Sequence, residues 1–387
     1  MDPDEFRQSP SGKVVPTIGG AWAFVPQPLP PPLQLEPILP QLTEVSLHLG
    51  ELNGIGRSLT NPYLLIRPFQ RREAVASSGI EGTVTSLSDL LLFEAGADER
   101  ARPPDTREVS NYVRALEFAI ERVKEIPISL RLIREIHAIL LQGVGARRRG
   151  ANIPPGEFRR DQNWIGGNTV STARFVPPSP NEVIDTLDLF EKFIHAPSNA
   201  QIPPLVQAAM IHYQFETIHP FPDGNGRVGR LLIPLILYDK GVLPQPLLYL
   251  SPFFEKHYNK YIDTLYNVSK DGAWLEWFEF FLNGVKEQCQ DTITRIQKLR
   301  DLQSKYREKV QQARASALQI QLVDMVFEYP VITIPRAQEV LGVTHRSATL
   351  NVQKLVEADI LIDMNVGKRP KYFMAHEVFE LLHSETP

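Results

Sequence analysis

Residues 219 to 230 read His219-Pro220-Phe221-Pro222-Asp223-Gly224-Asn225-Gly226-Arg227-Val228-Gly229-Arg230, and no other stretch gathers so many groups able to do chemistry. His219 is of the residue type whose unperturbed pKa lies near neutrality, which suits a general base. Asp223 offers a carboxylate of the kind Mg²⁺ accepts when it is held with nucleotide phosphates. Gly224 and Gly226 can adopt positive φ and bring backbone N–H groups close to an anion. A helix beginning near Arg227 would aim its unpaired N–H groups at the same point. Arg227 and Arg230, three apart, lie on one side of that helix and can fork onto phosphate oxygens. Taken singly, a His before Pro or an Asp-Gly turn has a purely structural explanation. Together within twelve residues they point to phosphate chemistry with a base beside it. The formal G-x-G-x-x-G match from Gly224 to Gly229 does not mark a dinucleotide fold, because the residues before it are helical rather than a strand. A G-x-x-x-x-G-K-[ST] loop is absent from the sequence.

Such a loop must be held by its neighbours, and their spacing is helical. Apolar residues recur at three and four over 105–125 and over 129–142, the latter capped by Ser129. The pattern returns at 181–195, 203–217, 228–240, 255–268 and 274–285, so the active loop joins two helices. Residues 42–92 are helical too, broken at Asn61-Pro62. The stretch 143–180 is different: it carries Gly143, Gly145, Gly150, Gly156, Gly166 and Gly167. There Trp164-Ile165 and Arg174-Phe175-Val176 flank Gly166-Gly167-Asn168 as a short hairpin. Residues 1–40 hold ten of the 33 prolines, which predicts an extended PPII-like arm. Its Trp22, Phe24 and Leu33 would let it lie against the body; a flexible tail is the alternative. Residues 286–314 read as a connecting helix. The expected organisation is a Pro-rich arm (1–40), an N-terminal helical region (41–128), a catalytic core (129–285), the connector (286–314) and a terminal domain (315–387).

Composition narrows the class. Of 387 residues 43% are hydrophobic and 22% charged, and the net charge is −4, so nothing drives the whole chain toward nucleic acid or anionic membrane. One cysteine, Cys289, leaves no internal disulfide and no multi-cysteine metal site. The longest apolar run, Leu231 to Tyr238, is far below the roughly 20 residues of a membrane span. The N-terminus lacks an apolar segment behind a basic start. A cytoplasmic protein without membrane contact is the expectation.

The segment 219–230 resembles the signature of the Fic family, His-Pro-Phe-x-[Asp/Glu]-Gly-Asn-Gly-Arg-x-x-Arg, and matches every fixed position. The likeness extends over roughly residues 60–285. It implies a mainly α protein, a Fic-type helical bundle with a short β-hairpin flap, whose members typically transfer AMP from ATP-Mg²⁺ to a hydroxyl of a target protein. By that resemblance His219 would be the catalytic base and Asp223 the Mg²⁺ ligand. Gly224, Asn225, Gly226, Arg227, Val228, Gly229 and Arg230 would surround the phosphates. Ile165, Gly166, Gly167 and Asn168 would form the flap over the nucleotide, where an extended segment of the target protein adds as a strand. Tyr261 would close the adenine pocket. ATP and Mg²⁺ are the implied cofactors, and dimers are common in the family, although no heptad seam demands one here.

Upstream, Ser77-Ser78-Gly79-Ile80-Glu81-Gly82 ends a predicted helix with Gly82 as its stop. Ser77 and Glu81, four apart, would share a face. A glutamate there sits against the helix dipole, which hints at a cationic partner. The segment also resembles the family's inhibitory motif [Ser/Thr]-x-x-x-Glu-[Gly/Asn]. That resemblance implies that Glu81 pairs with Arg230, so that ATP binds unproductively. The last 70 residues resemble a winged helix-turn-helix domain: helices over 316–329, 333–343 and 344–357, then strands 359–363 and 371–374 around the basic turn Gly367-Lys368-Arg369-Pro370. His345, Arg346 and Lys354 would line a recognition helix, and Lys368, Arg369 and Lys371 a wing. Six basic against nine acidic residues over 316–387 disfavour DNA as a partner. Rival readings are a nucleotide-responsive DNA-binding regulator, and a Fic enzyme that removes AMP or moves another phosphate-containing group.

Overall fold

The computed structural model describes residues 1–58, 63–99, 102–144, 152–198, 202–312, 316–364 and 370–384. The expected break at Asn61-Pro62, the loop glycines Gly145 and Gly150, and the turn residues Gly367, Lys368 and Arg369 lie outside the described residues. In chain order, β1 (Gly12–Pro16) and β2 (Trp22–Pro26) precede α1 (Leu39–Ser58), α2 (Tyr63–Ile80), α3 (Leu87–Glu94), α4 (Thr106–Arg122) and α5 (Leu130–Leu140). Then follow α6 (Pro180–Ile194), α7 (Pro204–Ile218), α8 (Asn225–Asp239), α9 (Ser251–Lys256), α10 (Tyr258–Asp271) and α11 (Trp274–Gln312). The terminal elements are α12 (Ala317–Glu328), β3 (Val331–Thr333), α13 (Ile334–Leu341), α14 (His345–Glu357), β4 (Ile362–Asp363), β5 (Tyr372–Met374) and α15 (His376–His383). The protein is mainly helical, with one two-stranded and one three-stranded sheet among the described residues.

The chain forms two compact units, neither of them one continuous stretch. The first comprises residues 1–50 and 111–288. Its centre is the pair α7 and α8, buried on nearly every face. Such all-round burial is why their sequences read as apolar runs rather than as narrow stripes. Ser129 caps α5 by accepting the N–H of Leu132, as expected. Ser179 and Glu182 cap α6 reciprocally.

Three expectations need correction here. The stretches 274–285 and 286–314 are one continuous helix, α11. Its Gly284 does not break it but makes room for Phe253, whose ring a Cβ there would meet at 2.7 Å. The single helix expected over 255–268 is instead α9 and α10, separated at His257. The N-terminal arm is not PPII over residues 12–26: β1 and β2 pair antiparallel from Gly12↔Pro26 to Pro16↔Trp22. Gly19 (φ 73°) and Gly20 (φ 76°) turn the chain between them. Phe6 and Phe24 are fully buried against Phe175, with Tyr266 beside Phe6 at a centroid distance of 5.4 Å. The Phe24 N–H donates to the Val176 carbonyl at 2.8 Å. The arm therefore braces the base of the flap.

The second unit comprises residues 51–110 and 289–387. Its terminal sheet has the order β3-β5-β4, antiparallel throughout. Helices α12, α13 and α14 fall where the spacing predicts, with Thr333 and Thr344 as N-caps and Gly342 (φ 62°) as stop. The short strand β3 and helix α15 went unread. No helix among the described residues is long and apolar enough to cross a membrane.

Candidate active site

The loop 219–224 spans the end of α7 and the start of α8. His219 is the C-cap of α7, in left-handed backbone (φ 50°, ψ 58°), one of two non-glycine residues with positive φ among the described residues. Its own N–H still closes the helix on the Phe215 carbonyl at 2.9 Å. Nδ1 lies 3.2 Å from the Glu216 carbonyl. A carbonyl can only accept, so this contact puts a proton on Nδ1, and in the neutral ring the lone pair is then on Nε2. A left-handed residue without glycine's freedom is costly and recurs at functional sites.

Beyond His219 the loop is tied down by side chains. Asn225 accepts the Phe221 N–H and donates to the Phe221 carbonyl, both at 2.8 Å. Asn163 donates to that same carbonyl at 3.1 Å. Phe221 is fully buried and stacks on His137 with centroids 3.7 Å apart. The Gly156 N–H donates to His137 Nδ1 at 2.8 Å, so Nε2 is protonated and donates to the Asp223 carbonyl at 3.0 Å. Residues 219 to 225 thus form a rigid bend.

Helix α8 begins at Asn225, two residues before the expected start at Arg227, with Gly224 (φ 77°) as its N-cap. The N–H groups of Asn225, Gly226 and Arg227 have no intrahelical acceptor and could receive an anion. Gly226 is helical, so only Gly224 uses glycine's positive φ. Arg227 and Arg230 are each 2% exposed. Arg227 Nη2 lies 3.7 Å from an Asp223 oxygen. Asp223 also accepts the Gly224 N–H at 2.7 Å and keeps a partly exposed carboxylate. Among the described residues no cluster of three or more His, Cys, Asp or Glu could hold a metal. Asp223 as a single oxygen donor fits Mg²⁺, which keeps water and phosphate oxygens for its other positions.

Two residues assigned to the phosphates have other work. The Val228 N–H donates to the Gly224 carbonyl at 3.1 Å and its side chain is fully buried. A Cβ on Gly229 would stand 2.2 Å from a Glu216 oxygen and 3.1 Å from the Phe215 ring, so Gly229 permits α7 and α8 to approach. Tyr261 is likewise a core residue, 1% exposed and stacked on Phe254 at 4.4 Å. Its hydroxyl meets His212 Nε2 at 2.8 Å, while His212 Nδ1 donates to the Gly229 carbonyl at 3.0 Å. Burial pushes His212 down to about 3, and it stays neutral. No face of Tyr261 is open to an adenine ring.

The expected hairpin reduces to one antiparallel bridge, Ile165↔Phe175, closed by N–H···O bonds of 2.8 and 3.1 Å. Gly166 (φ 67°) and Gly167 (φ 83°) turn it, and Gly166, Gly167 and Asn168 are exposed. In the second unit, Ser77 is buried within α2. Glu81 stands one residue past the end of α2 and is exposed, followed by Gly82 (φ 81°). The expectation that Ser77 and Glu81 share a helical face therefore fails at the last turn.

Arg159, Asn163, His137 and His212 escaped the sequence reading. The two histidines each interrupt an apolar helical face, which is the signal that could have found them. Arg159 had none beyond its place before the flap.

A family model described as Fic/DOC family matches residues 127–237, and one described as Fic/DOC family N-terminal matches residues 39–121. Together they cover half of the chain. The chain belongs to the Fic/DOC family. Relatives named protein adenylyltransferase Fic include that of Drosophila virilis, 35% identical over 171 residues (43% of this chain and 33% of that protein). That of Aedes aegypti is 32% identical over 200 residues, 51% of this chain and 36% of its own length. The chain spans about a third of the length of the curated relatives it matches. A crystal structure of a Fic family protein from Desulfovibrio desulfuricans G20 is 18% identical, with a TM-score of 0.56 over 90% of this chain and 98% of that one. Fic-1 of C. elegans (residues 134–508) gives 22% and 0.53, over 68% and 75%. These likenesses establish the Fic fold.

Proposed function

We propose that the chain is a protein adenylyltransferase that moves AMP from ATP to a hydroxyl side chain of a target protein, itself included. The observation that carries this reading is the pairing of a left-handed His219 with the open N-terminus of α8 and two buried arginines, all within twelve residues. His219 Nε2 takes the proton of the target hydroxyl as its oxygen attacks the α-phosphorus. The bond from that phosphorus to the bridging oxygen breaks, and pyrophosphate leaves. The N–H groups of Asn225, Gly226 and Arg227 and the guanidiniums of Arg227 and Arg230 stabilise the charge on the phosphates. Asp223 would hold Mg²⁺, which supplies charge neutralisation for the leaving pyrophosphate. The exposed turn Gly166–Asn168 offers its backbone to an extended target segment.

We also propose that Glu81 restrains this activity by pairing with Arg230, on the strength of the inhibitory motif Ser77–Gly82. Arg230 so engaged cannot take the γ-phosphate. Residues 315–387 are read as a winged-helix domain that contacts protein, since their net charge is −3. The test of the activity is the fate of the label. With ATP labelled at the α-phosphate, protein becomes radioactive; with ATP labelled at the γ-phosphate, only released pyrophosphate does. Label on protein from the γ position would mean phosphoryl transfer and would overturn the reading.

A further inference from the structure

Arg159 is 4% exposed and sits six residues before Ile165 of the flap, outside the signature loop. A buried guanidinium is ordinarily matched by a carboxylate. Among the described residues Arg159 has no such partner, and every contact it makes is with a backbone carbonyl. Nε donates to the His219 carbonyl at 2.9 Å. Nη1 donates to Asp161 at 3.2 Å. Nη2 donates to Pro178 and, at 3.4 Å, to Ile218. The Arg159 backbone N–H adds a bond of 2.9 Å to the Pro220 carbonyl. Three successive carbonyls, those of 218, 219 and 220, are therefore fixed by one residue, at the point where the chain enters left-handed backbone.

We infer that Arg159 is the positioning residue of the catalytic histidine: its guanidinium holds the Ile218 and His219 carbonyls and so keeps His219 in the left-handed turn that presents its imidazole. An ordinary arginine cap at a helix end would be exposed and would leave the next residue in regular backbone. Here the cap is buried, and the residue it grips is strained. Burial alone pushes the guanidinium down to about 10, so it is still charged at neutral pH. A cation caged by carbonyls is sensitive to geometry, because only the planar fork reaches several acceptors at once. Lysine keeps the charge but not the fork.

This inference rests on the adenylyltransferase reading for its kinetic consequence, and on the backbone alone for its structural one. The experiment uses the full chain, isotopically labelled, as wild type and Arg159→Lys. In the wild type the Arg159 Nε–H signal should be resolved and protected from solvent exchange. In the folded variant the His219 Cα shift should leave its left-handed value while the buried His212 signals stay in place. With Glu81→Gly as the common background, Arg159→Lys should lower kcat for AMP transfer by roughly a hundredfold, the order of loss that an ångström of misplacement causes, with KM for ATP changed less than threefold. A merely structural arginine would lower the melting temperature and leave the His219 shift where it was. Two results would overturn the inference: His219 shifts in Arg159→Lys that superimpose on wild type, or an Arg159 Nε–H that exchanges as fast as exposed arginines. The exchange measurement is made on wild type and stands even if the variant does not fold. A Glu81→Gly protein that transfers no AMP would overturn the activity while leaving the shift comparison decisive for Arg159.

Discussion

The bend at Phe221 can be tested by removing its two amide side chains in turn. Asn225 satisfies both the N–H and the carbonyl of Phe221, whereas Asn163 reaches only the carbonyl. In Asn225→Ala the buried N–H loses its acceptor, at a cost of about 1–3 kcal/mol, while the carbonyl keeps Asn163. In Asn163→Ala the carbonyl keeps Asn225 at 2.8 Å, and the half-buried Trp164 N–H loses one acceptor. That change should cost under about 1 kcal/mol, the low end for an N–H that water can still reach. The double variant strips the carbonyl of both donors, so it should exceed the sum of the singles by about 1–2 kcal/mol. That is the signature of a shared partner. At roughly 2–4 °C per kcal/mol for a body of this size, the double variant separates clearly from either single. Urea unfolding followed by circular dichroism gives the three free energies. Asn163→Ala as costly as Asn225→Ala, or a double variant that is additive within about 0.5 kcal/mol, would refute this assignment of the bonds.

Other consequences follow from the same geometry. Glu81→Gly should raise AMP transfer at least tenfold, since one phosphate contact to a freed arginine is worth about 1.5–3 kcal/mol and 1.4 is a factor of ten. Adding Arg230→Ala should cancel the gain, and equal labelling by wild type and Glu81→Gly would end the autoinhibition proposal. Gly167→Ala forces an L-residue to φ 83° and sets its Cβ 2.4 Å from the Thr172 carbonyl. Labelling of a protein target should fall roughly tenfold, for about 1–2 kcal/mol of backbone strain, while calorimetric ATP affinity is unchanged. His212 titrates near 3 when folded and near 6.5 unfolded. Its stabilising contribution is complete above about pH 6.5 and drains as pH falls, because the unfolded chain gains a proton that the native one refuses. Between pH 7 and 5 wild type should lose about 2 kcal/mol more than His212→Gln, as read from urea midpoints at the two pH values.

The parts that could be read in advance are those where one local rule dominates. Ser129, Thr333 and Thr344 announce helix starts because a short hydroxyl side chain reaches the N–H three residues on. Gly82 and Gly342 announce stops because they accept positive φ. The phosphate chemistry proposed for 219–230 rests on the same kind of local rule, since base, acid, glycines and arginines are contiguous. What hid was non-local. The hairpin of β1 and β2 lay under a proline count, although Lys13-Val14-Val15 and Trp22-Ala23-Phe24-Val25 are good strand formers around a glycine turn. Tyr261 was misplaced because helical spacing cannot tell a core aromatic from a pocket wall, and the hydrogen bond to His212 comes from 49 residues away. Arg159 was invisible for the same reason. A guanidinium that serves four carbonyls from distant segments leaves no periodicity behind. Val228 and Gly229 stand with the phosphates only through the resemblance of 219–230 to the family signature, whose later positions already lie inside α8.

The central claim is that this chain transfers AMP through His219. Intact-mass spectrometry of the full chain, with the Glu81→Gly variant as the active form, measures it directly after incubation with ATP and Mg²⁺. The expected result is a mass gain of one AMP in Glu81→Gly, little in wild type, and none when His219→Ala is added, although the latter protein still binds ATP by calorimetry. The same gain in the protein lacking His219, or no gain in any form with or without added target protein, would contradict the claim.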